Sequence, residues 1–365
     1  MPATQKGAEM RAIVWTGELE VRDDVELQEP GPRQVLVRIH NAGLCHSDVS
    51  VINGTIPYPT PVVLGHEGAG VVEAVGSAVT RVKPGDHVVL TTLGNCGMCD
   101  ACDRGQPTHC RQSYGSMDQR YRTGGQPAFA FANAGVFSER ALVGENQAVV
   151  IDPRVPLSSA CLIGCAVVTG AGAVLNRAKV QPGQSVAVIG AGGIGQSVIQ
   201  AARLSNASRV VVIDANPAKE AAARQMGATD FIAASVVDDT VAAAKDLGFH
   251  NGFDYTFECV GHPALIRNAI DMLDWGGTCV MLGVPKMGTE VSFVVQSMYQ
   301  NKSIMGCRYG ATRPHHDIPL LVQLYLDGKF LLDEMVSQQY PAADIQSALD
   351  DLEAGKLNRG VLIFA

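Results

Sequence analysis

The segment that most limits the fold is the apolar run Ser185-Val186-Ala187-Val188-Ile189 entering Gly190-Ala191-Gly192-Gly193-Ile194-Gly195 and leaving into a helical pattern over 196–204. A strand with no polar face is buried on both sides. It belongs in a parallel sheet covered by helices above and below. The alternation continues with a strand over 209–213, a helix over 218–226, and strands over 253–259, 278–282 and 303–306. The turn reads G-x-G-x-x-G. Its glycines permit a tight turn, close approach of backbone to a pyrophosphate and close helix–strand packing, and the helix start offers N–H donors to the phosphates. Asp214 lies 24 positions beyond Gly190, at the end of Arg209-Val210-Val211-Val212-Ile213. Its carboxylate suits ribose hydroxyls and repels a 2′-phosphate, and Ala215 and Asn216 supply no Arg for one. The expectation is NAD rather than NADP, held at Gly190, Gly192, Gly193, Ile194, Gly195 and Asp214.

The first third differs in texture. Short β-like runs at 34–39, 70–75 and 87–90 are broken by Gly and Pro, with Pro84-Gly85-Asp86 as a turn. This predicts a twisted antiparallel or barrel-like β lobe with long loops. Near Ser158 the pattern changes to an Ala/Gly/Val-rich helical stretch over 160–175. The stretch 320–365 reads as an amphipathic helix and a closing strand over 360–364 that returns to the first lobe. The fold class is α/β: a barrel-like β domain (1–166 and 310–365) and a doubly wound dinucleotide-binding domain (167–309).

The chain has 365 residues, enough for two domains. Its net charge of −8, without a basic run, argues against nucleic acid and anionic membranes as partners. It holds no apolar run long enough to span a membrane. Residues 1–11 are polar and lack a signal peptide's apolar core, so a loose tail is expected there. Ten cysteines without an export signal point to a reducing compartment, the cytoplasm, and to metal ligation rather than disulfides. Four of them (Cys96, Cys99, Cys102 and Cys110) read C-x2-C-x2-C-x7-C. Four thiolates from one short loop make a closed cage suited to a structural Zn²⁺. The bacterial iron–sulfur run would place its fourth Cys after three residues and follow it with Pro; here seven intervene and Arg111 follows. Cys161, Cys259, Cys279 and Cys307 sit in apolar or Gly-rich surroundings and read as buried small hydrophobes.

Two more motifs carry chemistry: Gly43-Leu44-Cys45-His46-Ser47-Asp48 and Gly65-His66-Glu67-Gly68, with Cys165 standing apart in Leu162-Ile163-Gly164-Cys165-Ala166. Singly, His66 reads as a packed histidine and Cys165 as a buried thiol. Together with the four-Cys loop and the glycine turn, in this order and spacing, they resemble the zinc-dependent alcohol dehydrogenases of the medium-chain dehydrogenase/reductase family, from about Met10 to Ala365. The resemblance implies a GroES-like barrel beside a Rossmann domain, and NAD with two Zn²⁺ per chain. Cys45, His66 and Cys165 would be the catalytic zinc ligands, the Cys₂His set known for alcohol dehydrogenases. The ion would stabilise an alkoxide whose carbon gives hydride to the nicotinamide. Asp48 resembles the carboxylate that holds the His66 imidazole, and Glu67 the acidic residue behind the metal. Ser47 resembles the hydroxyl that takes the alcohol proton. Many members then use a His three positions on; here that position is Ser50. His46 and Arg359 resemble pyrophosphate contacts, Lys219 a residue near the adenosine ribose, and Thr169, Val260 and Val284 residues at the cofactor.

Glutathione-dependent formaldehyde dehydrogenases, a class within this resemblance, carry charged residues near the position of Thr55-Ile56. Here the stretch is Asn53-Gly54-Thr55-Ile56-Pro57, without a carboxylate. The 112–134 loop offers Arg120 and Arg122, and also Met117, Phe129 and Phe131 for an apolar pocket. The expected substrate is a primary alcohol with an apolar or aromatic tail, oxidised reversibly to its aldehyde. A thiol-adduct formaldehyde dehydrogenase and a nicotinoprotein that retains NAD are the alternatives, and a non-catalytic NAD-binding scaffold is disfavoured. Segment 291–303 resembles the family's subunit contact, implying a homodimer, with a tetramer as the alternative.

Overall fold

The computed structural model describes residues 9–113 and 117–364. Most of the expected N-terminal tail therefore lies outside the described residues, and Met10 and Arg11 already belong to the first strand, Met10–Trp15. The chain forms two compact units. The first takes the described residues up to Cys165, Arg313–Gly328 and the chain from Leu332 onward; the second takes Ala166–Thr312 and Lys329–Leu331.

In the first unit a closed barrel joins Met10–Trp15, Leu19–Leu27, Tyr121–Thr123, Gln126–Ala130 and Val62–Val63. A seven-stranded sheet runs in the order Ala148–Val150, His87–Leu90, Glu67–Val75, Gln34–Gly43, Arg359–Ile363, Val336–Pro341, with Arg140–Gly144 added on Gln34–Gly43. Gln34–Gly43 shows why it forms: Val35, Val37 and Ile39 alternate into the core while Arg38 points out. Its antiparallel register against Glu67–Val75 pairs Gly43 with Glu67, and the closing strand pairs Val361 with Gly43. Cys45, just past one strand end, is thereby brought beside His66, just before the next strand begins. Arg359 arrives from the third.

In the second unit six strands run parallel in the order Asp230–Ala233, Arg209–Asp214, Ser185–Ile189, Phe253–Glu258, Leu273–Met281, Ser303–Gly306. By chain order this is 3-2-1-4-5-6, the doubly wound arrangement of dinucleotide-binding sheets. Val186 to Ile189 and Val210 to Ile213 are buried throughout, as strands covered on both faces must be.

The helical stretch expected over 160–175 is broken. A 3₁₀ turn, Cys161–Gly164, is followed by Cys165 at φ −143° and ψ −71°, then by the helix Ala166–Gly172. Gly164 lies so close to the Leu90 carbonyl of a neighbouring strand that a side chain there would overlap it, so the close approach requires glycine. The 112–134 loop also carries structure, in the strands Tyr121–Thr123 and Gln126–Ala130. Among the described residues no single helix is long and apolar enough to cross a membrane.

Candidate active site

Among the described residues, two groups of metal-ligating side chains have donor atoms within 4.8 Å of one another: Cys96, Cys99, Cys102 and Cys110; and Cys45, His66 and Glu67. In the first, the Sγ atoms of Cys99 and Cys102 are 3.6 Å apart and those of Cys96 and Cys110 are 3.7 Å apart. Tetrahedral Zn–S bonds of about 2.3 Å imply S···S separations of roughly 3.8 Å, whereas a disulfide needs about 2.05 Å. The donor set thus fits a tetrahedral ion. The sulfurs also accept N–H groups, from Cys96 to Cys110 at 3.4 Å and from Met98 to Cys96 at 3.5 Å. Burial raises the Cys110 thiol pKa, but the Cys96 N–H and neighbouring thiols outweigh it and bring it down to about 7. The opposite pull leaves Cys102 at about 11, raised first by burial.

The second group sits where the strand ends meet. Asp48, fully buried in the short helix His46–Ile52, places Oδ1 3.3 Å from His66 Nδ1 and accepts the Gly65 N–H at 3.0 Å. That contact leaves the other imidazole nitrogen for a metal. Burial disfavours the imidazolium, yet Asp48, Cys45 and Cys165 outweigh it and hold the His66 pKa well above its usual value. A buried pocket that draws protons this strongly is one that fits a cation. Burial raises the Cys165 thiol pKa and His66 draws it back, which puts Cys165 near this group, although its sulfur is not among the donors that lie within 4.8 Å of one another. Ser47 Oγ lies 3.7 Å from Cys45 Sγ.

Glu67 is buried and ion-paired with the buried guanidinium of Arg359. Burial alone would lower the Arg359 pKa; Glu67, then Cys45 and Cys165, raise it. Gly43 makes room for this pair: a Cβ there would overlap Glu67 Oε2 and come within 3.2 Å of Arg359 Nη2. Gly43 had no role in the sequence reading, although it opens the very motif that contains Cys45.

Phe131 stands edge-on to the His66 ring, with centroids 5.3 Å apart, and edge-on to Tyr58, also at 5.3 Å. Tyr58 donates its hydroxyl to the Ala130 carbonyl at 3.0 Å. Of the other proposed pocket residues, Phe129 is half-buried in the barrel strand and Met117 is exposed. Arg120 is buried. It donates to the carbonyls of Asn133 at 2.9 Å and Leu142 at 2.7 Å, and pairs with Asp118 at 2.6 Å. Arg122 donates to the Gly125 carbonyl. Arg120 is thus a strut rather than a free anion receptor.

In the second unit, Gly190 adopts φ +96°, and Gly195 lies against the Gly190 carbonyl so closely that only glycine fits. A Cβ on Gly192 would meet nothing, which leaves an open cradle at the start of the twelve-residue helix Gly193–Leu204, whose N-cap makes no side-chain bond. Ile194 is the second residue of that helix. Asp214 accepts the Ala191 N–H at 2.7 Å and the Asn216 N–H at 2.8 Å, and pairs with Lys219 Nζ at 3.3 Å. These features fit a dinucleotide. Val260 and Val284 are 49% and 63% exposed, Thr169 is buried in its helix, and His46 is exposed at the start of its own. Of the four remaining cysteines, Cys161 and Cys279 are buried, whereas Cys259 and Cys307 are only partly so.

A barrel unit with two metal-ligand clusters and a doubly wound unit with a phosphate cradle define a zinc- and dinucleotide-dependent dehydrogenase. Residues 31–153 match the family model of the alcohol dehydrogenase GroES-like domain, and residues 193–327 that of the zinc-binding dehydrogenase. The chain is 36% identical over 362 residues to alcohol dehydrogenase class-3 of Myxine glutinosa, covering 96% of each chain. It is 38% identical over 349 residues to S-(hydroxymethyl)glutathione dehydrogenase of Photobacterium damsela subsp. piscicida, covering 93% of this chain and 95% of that one. The crystal structure of benzyl alcohol dehydrogenase from Acinetobacter calcoaceticus is similar at TM-score 0.92 and 32% identity, over 98% of this chain and 99% of that one. The chain belongs to the zinc-dependent alcohol dehydrogenase family. It is an NAD-dependent oxidoreductase of small-molecule alcohols that uses zinc.

Proposed function

We propose that this enzyme oxidises primary alcohols with apolar or aromatic tails to aldehydes, reversibly, and that Cys45, His66 and Cys165 hold the catalytic zinc while Cys96, Cys99, Cys102 and Cys110 hold the structural one. When bound, zinc supplies a Lewis acid for the alcohol oxygen and NAD the hydride acceptor. The chain's own residues do the rest. Asp48 fixes the His66 tautomer. Ser47, beside Cys45, accepts the alcohol proton. Ser50, one helical turn on, lacks an imidazole's basicity, so the proton leaves through water. Glu67 and Arg359 neutralise one another, which supports Cys165 rather than Glu67 as the third ligand. The family resemblance assigns His46 and Arg359 to the cofactor pyrophosphate. Asp214 and Lys219 take the adenosine ribose, and Thr169, Val260 and Val284 the nicotinamide.

The observation that carries the substrate class is Phe131, set edge-on to both His66 and Tyr58. It puts an aromatic wall at the proposed metal centre, and such rings favour apolar and aryl groups. Commitment of Arg120 to internal bonds weighs against an anionic thiol adduct. The relatives named S-(hydroxymethyl)glutathione dehydrogenase support that adduct as the second reading. The segment carrying exposed Val294, Val295 and Tyr299 supports a homodimer, to be checked by sedimentation equilibrium. A reducing cytoplasm suits the thiol clusters. The deciding experiment incubates the purified protein and NAD with benzyl alcohol, octanol and a thiol–formaldehyde adduct while following nicotinamide absorbance. Turnover of the free alcohols is expected. Turnover of the adduct alone would overturn the reading, and protein-bound nicotinamide without NADH accumulation would favour a nicotinoprotein.

A further inference from the structure

Glu258 ends the strand Phe253–Glu258 and has no solvent exposure. A carboxylate buried this way destabilises the fold unless its oxygens are satisfied. Its Oε1 accepts the N–H groups of Val260 at 2.9 Å and Gly261 at 2.8 Å, and its Oε2 accepts Gly261 N–H at 3.0 Å. Its own carbonyl accepts the N–H groups of Leu282 at 2.8 Å and Gly283 at 3.0 Å, while Cys259 donates to the Ile189 carbonyl at 2.9 Å. The C-terminal ends of three adjacent parallel strands are thus tied together around one residue.

Those ends carry Gly190, Val260 and Val284, three positions assigned to the cofactor. A Cβ on Gly190 would come within 2.7 Å of Val260 Cγ2, and one on Gly261 (φ +88°) within 2.7 Å of the Val284 backbone. Val260 and Val284 are therefore held in fixed places, yet their side chains are half or more exposed. An apolar pair presented at the C-terminal edge of a parallel sheet stands where such sheets bind ligands. Burial raises the Glu258 pKa, and the backbone N–H groups draw it back.

We propose that Glu258 is a positioning residue for NAD: its buried carboxylate locks the Val260–Gly261 turn against Gly190 and Val284 before the cofactor arrives. A surface ordered in advance binds more tightly than one that must be ordered on binding. The inference rests on the NAD assignment above. Glu258→Gln preserves volume but turns an N–H donor toward backbone N–H donors, leaving the turn short of an acceptor. NADH fluorescence titration is expected to show Kd raised about tenfold. The KM for NAD should follow it, while zinc content and the KM for alcohol stay within about twofold. A folded variant with wild-type NADH affinity would overturn the inference alone. Failure of the wild-type protein to bind NADH would overturn the NAD assignment and this inference with it. If Glu258→Gln fails to fold, amide hydrogen exchange on the wild-type protein decides. Val260 and Gly261 amides protected without cofactor support the lock, and amides that become protected only with NADH overturn it.

Discussion

Ser47 and Ser50 lie on the same short helix, but only Ser47 has its hydroxyl beside Cys45. A hydroxyl adjacent to the reacting oxygen shares the proton in the transition state; one a turn away does not touch it. Ser47→Ala is therefore expected to lower kcat by roughly 100-fold or more, and Ser50→Ala by less than about twofold. A large loss in Ser50→Ala, measured under saturating NAD, would show that it relays the proton after all. Gly43 raises a different kind of residue question, since it acts by having no side chain. A methyl group there must displace Glu67 or Arg359, both buried, with no solvent to receive the charge. Gly43→Ala is expected to destabilise the protein by about 2 kcal/mol in urea melts. A variant of wild-type stability would mean that the pair can shift cheaply.

At the scale of elements, one edge of the parallel sheet is the strand Asp230–Ala233, which is short and mostly half-buried. Arg209 on the neighbouring strand grips it, with Nη2 2.7 Å from Asp230 Oδ1 and the guanidinium stacked 4.4 Å from the Phe249 ring centroid. Burial raises the Asp230 pKa, but Arg209 and Thr229 outweigh it and hold it below the ordinary carboxylate range. A carboxyl whose folded pKa lies below its unfolded value, about 3.9, adds stability that is full above that value. The contribution is lost as pH falls through the folded pKa. Wild type should therefore be more stable than Asp230→Asn at pH 7, by under about 1 kcal/mol because the Arg209 side chain is 37% exposed. The margin should be smaller at about pH 3, below the unfolded value of about 3.9, and is lost only as pH falls through the lower folded pKa. Urea melts at both pH values test this, and a margin indifferent to pH would sink the argument.

For the whole molecule, what the sequence made legible was local. The glycine turn between an apolar strand and a helix, and the alternation that follows, depend on neighbours within a few positions, so they appear in the order of residues. The break at Cys165 did not; beside it Gly164 packs against the Leu90 carbonyl of another strand, a contact that local sequence does not display. Nor did the edge strand, whose Asp-Phe-Ile-Ala pattern becomes a strand only once Arg209–Asp214 offers hydrogen bonds. The same division holds for the sites. The motifs marked Cys45 and His66, but the Gly43–Glu67 register that joins them is a tertiary fact. Glu258 went unnoticed although an acid closing a largely apolar strand just before Cys-Val-Gly is a visible signal. The metal ligands and the glycine cradle belong to different units, and different losses follow. Cys165→Ala removes a donor from the proposed catalytic set only. It is expected to leave one zinc per chain by elemental analysis and to abolish turnover. It should keep NADH affinity within about twofold, because the cradle and Asp214 belong to the second unit. Cys102→Ala also leaves one zinc but removes the ion that ties its loop together, so it should lower the melting temperature where Cys165→Ala does so much less. If Cys165→Ala retains two zincs and its activity, the third ligand is another group, and Glu67, within 4.8 Å of the other two donors, is the one to test next.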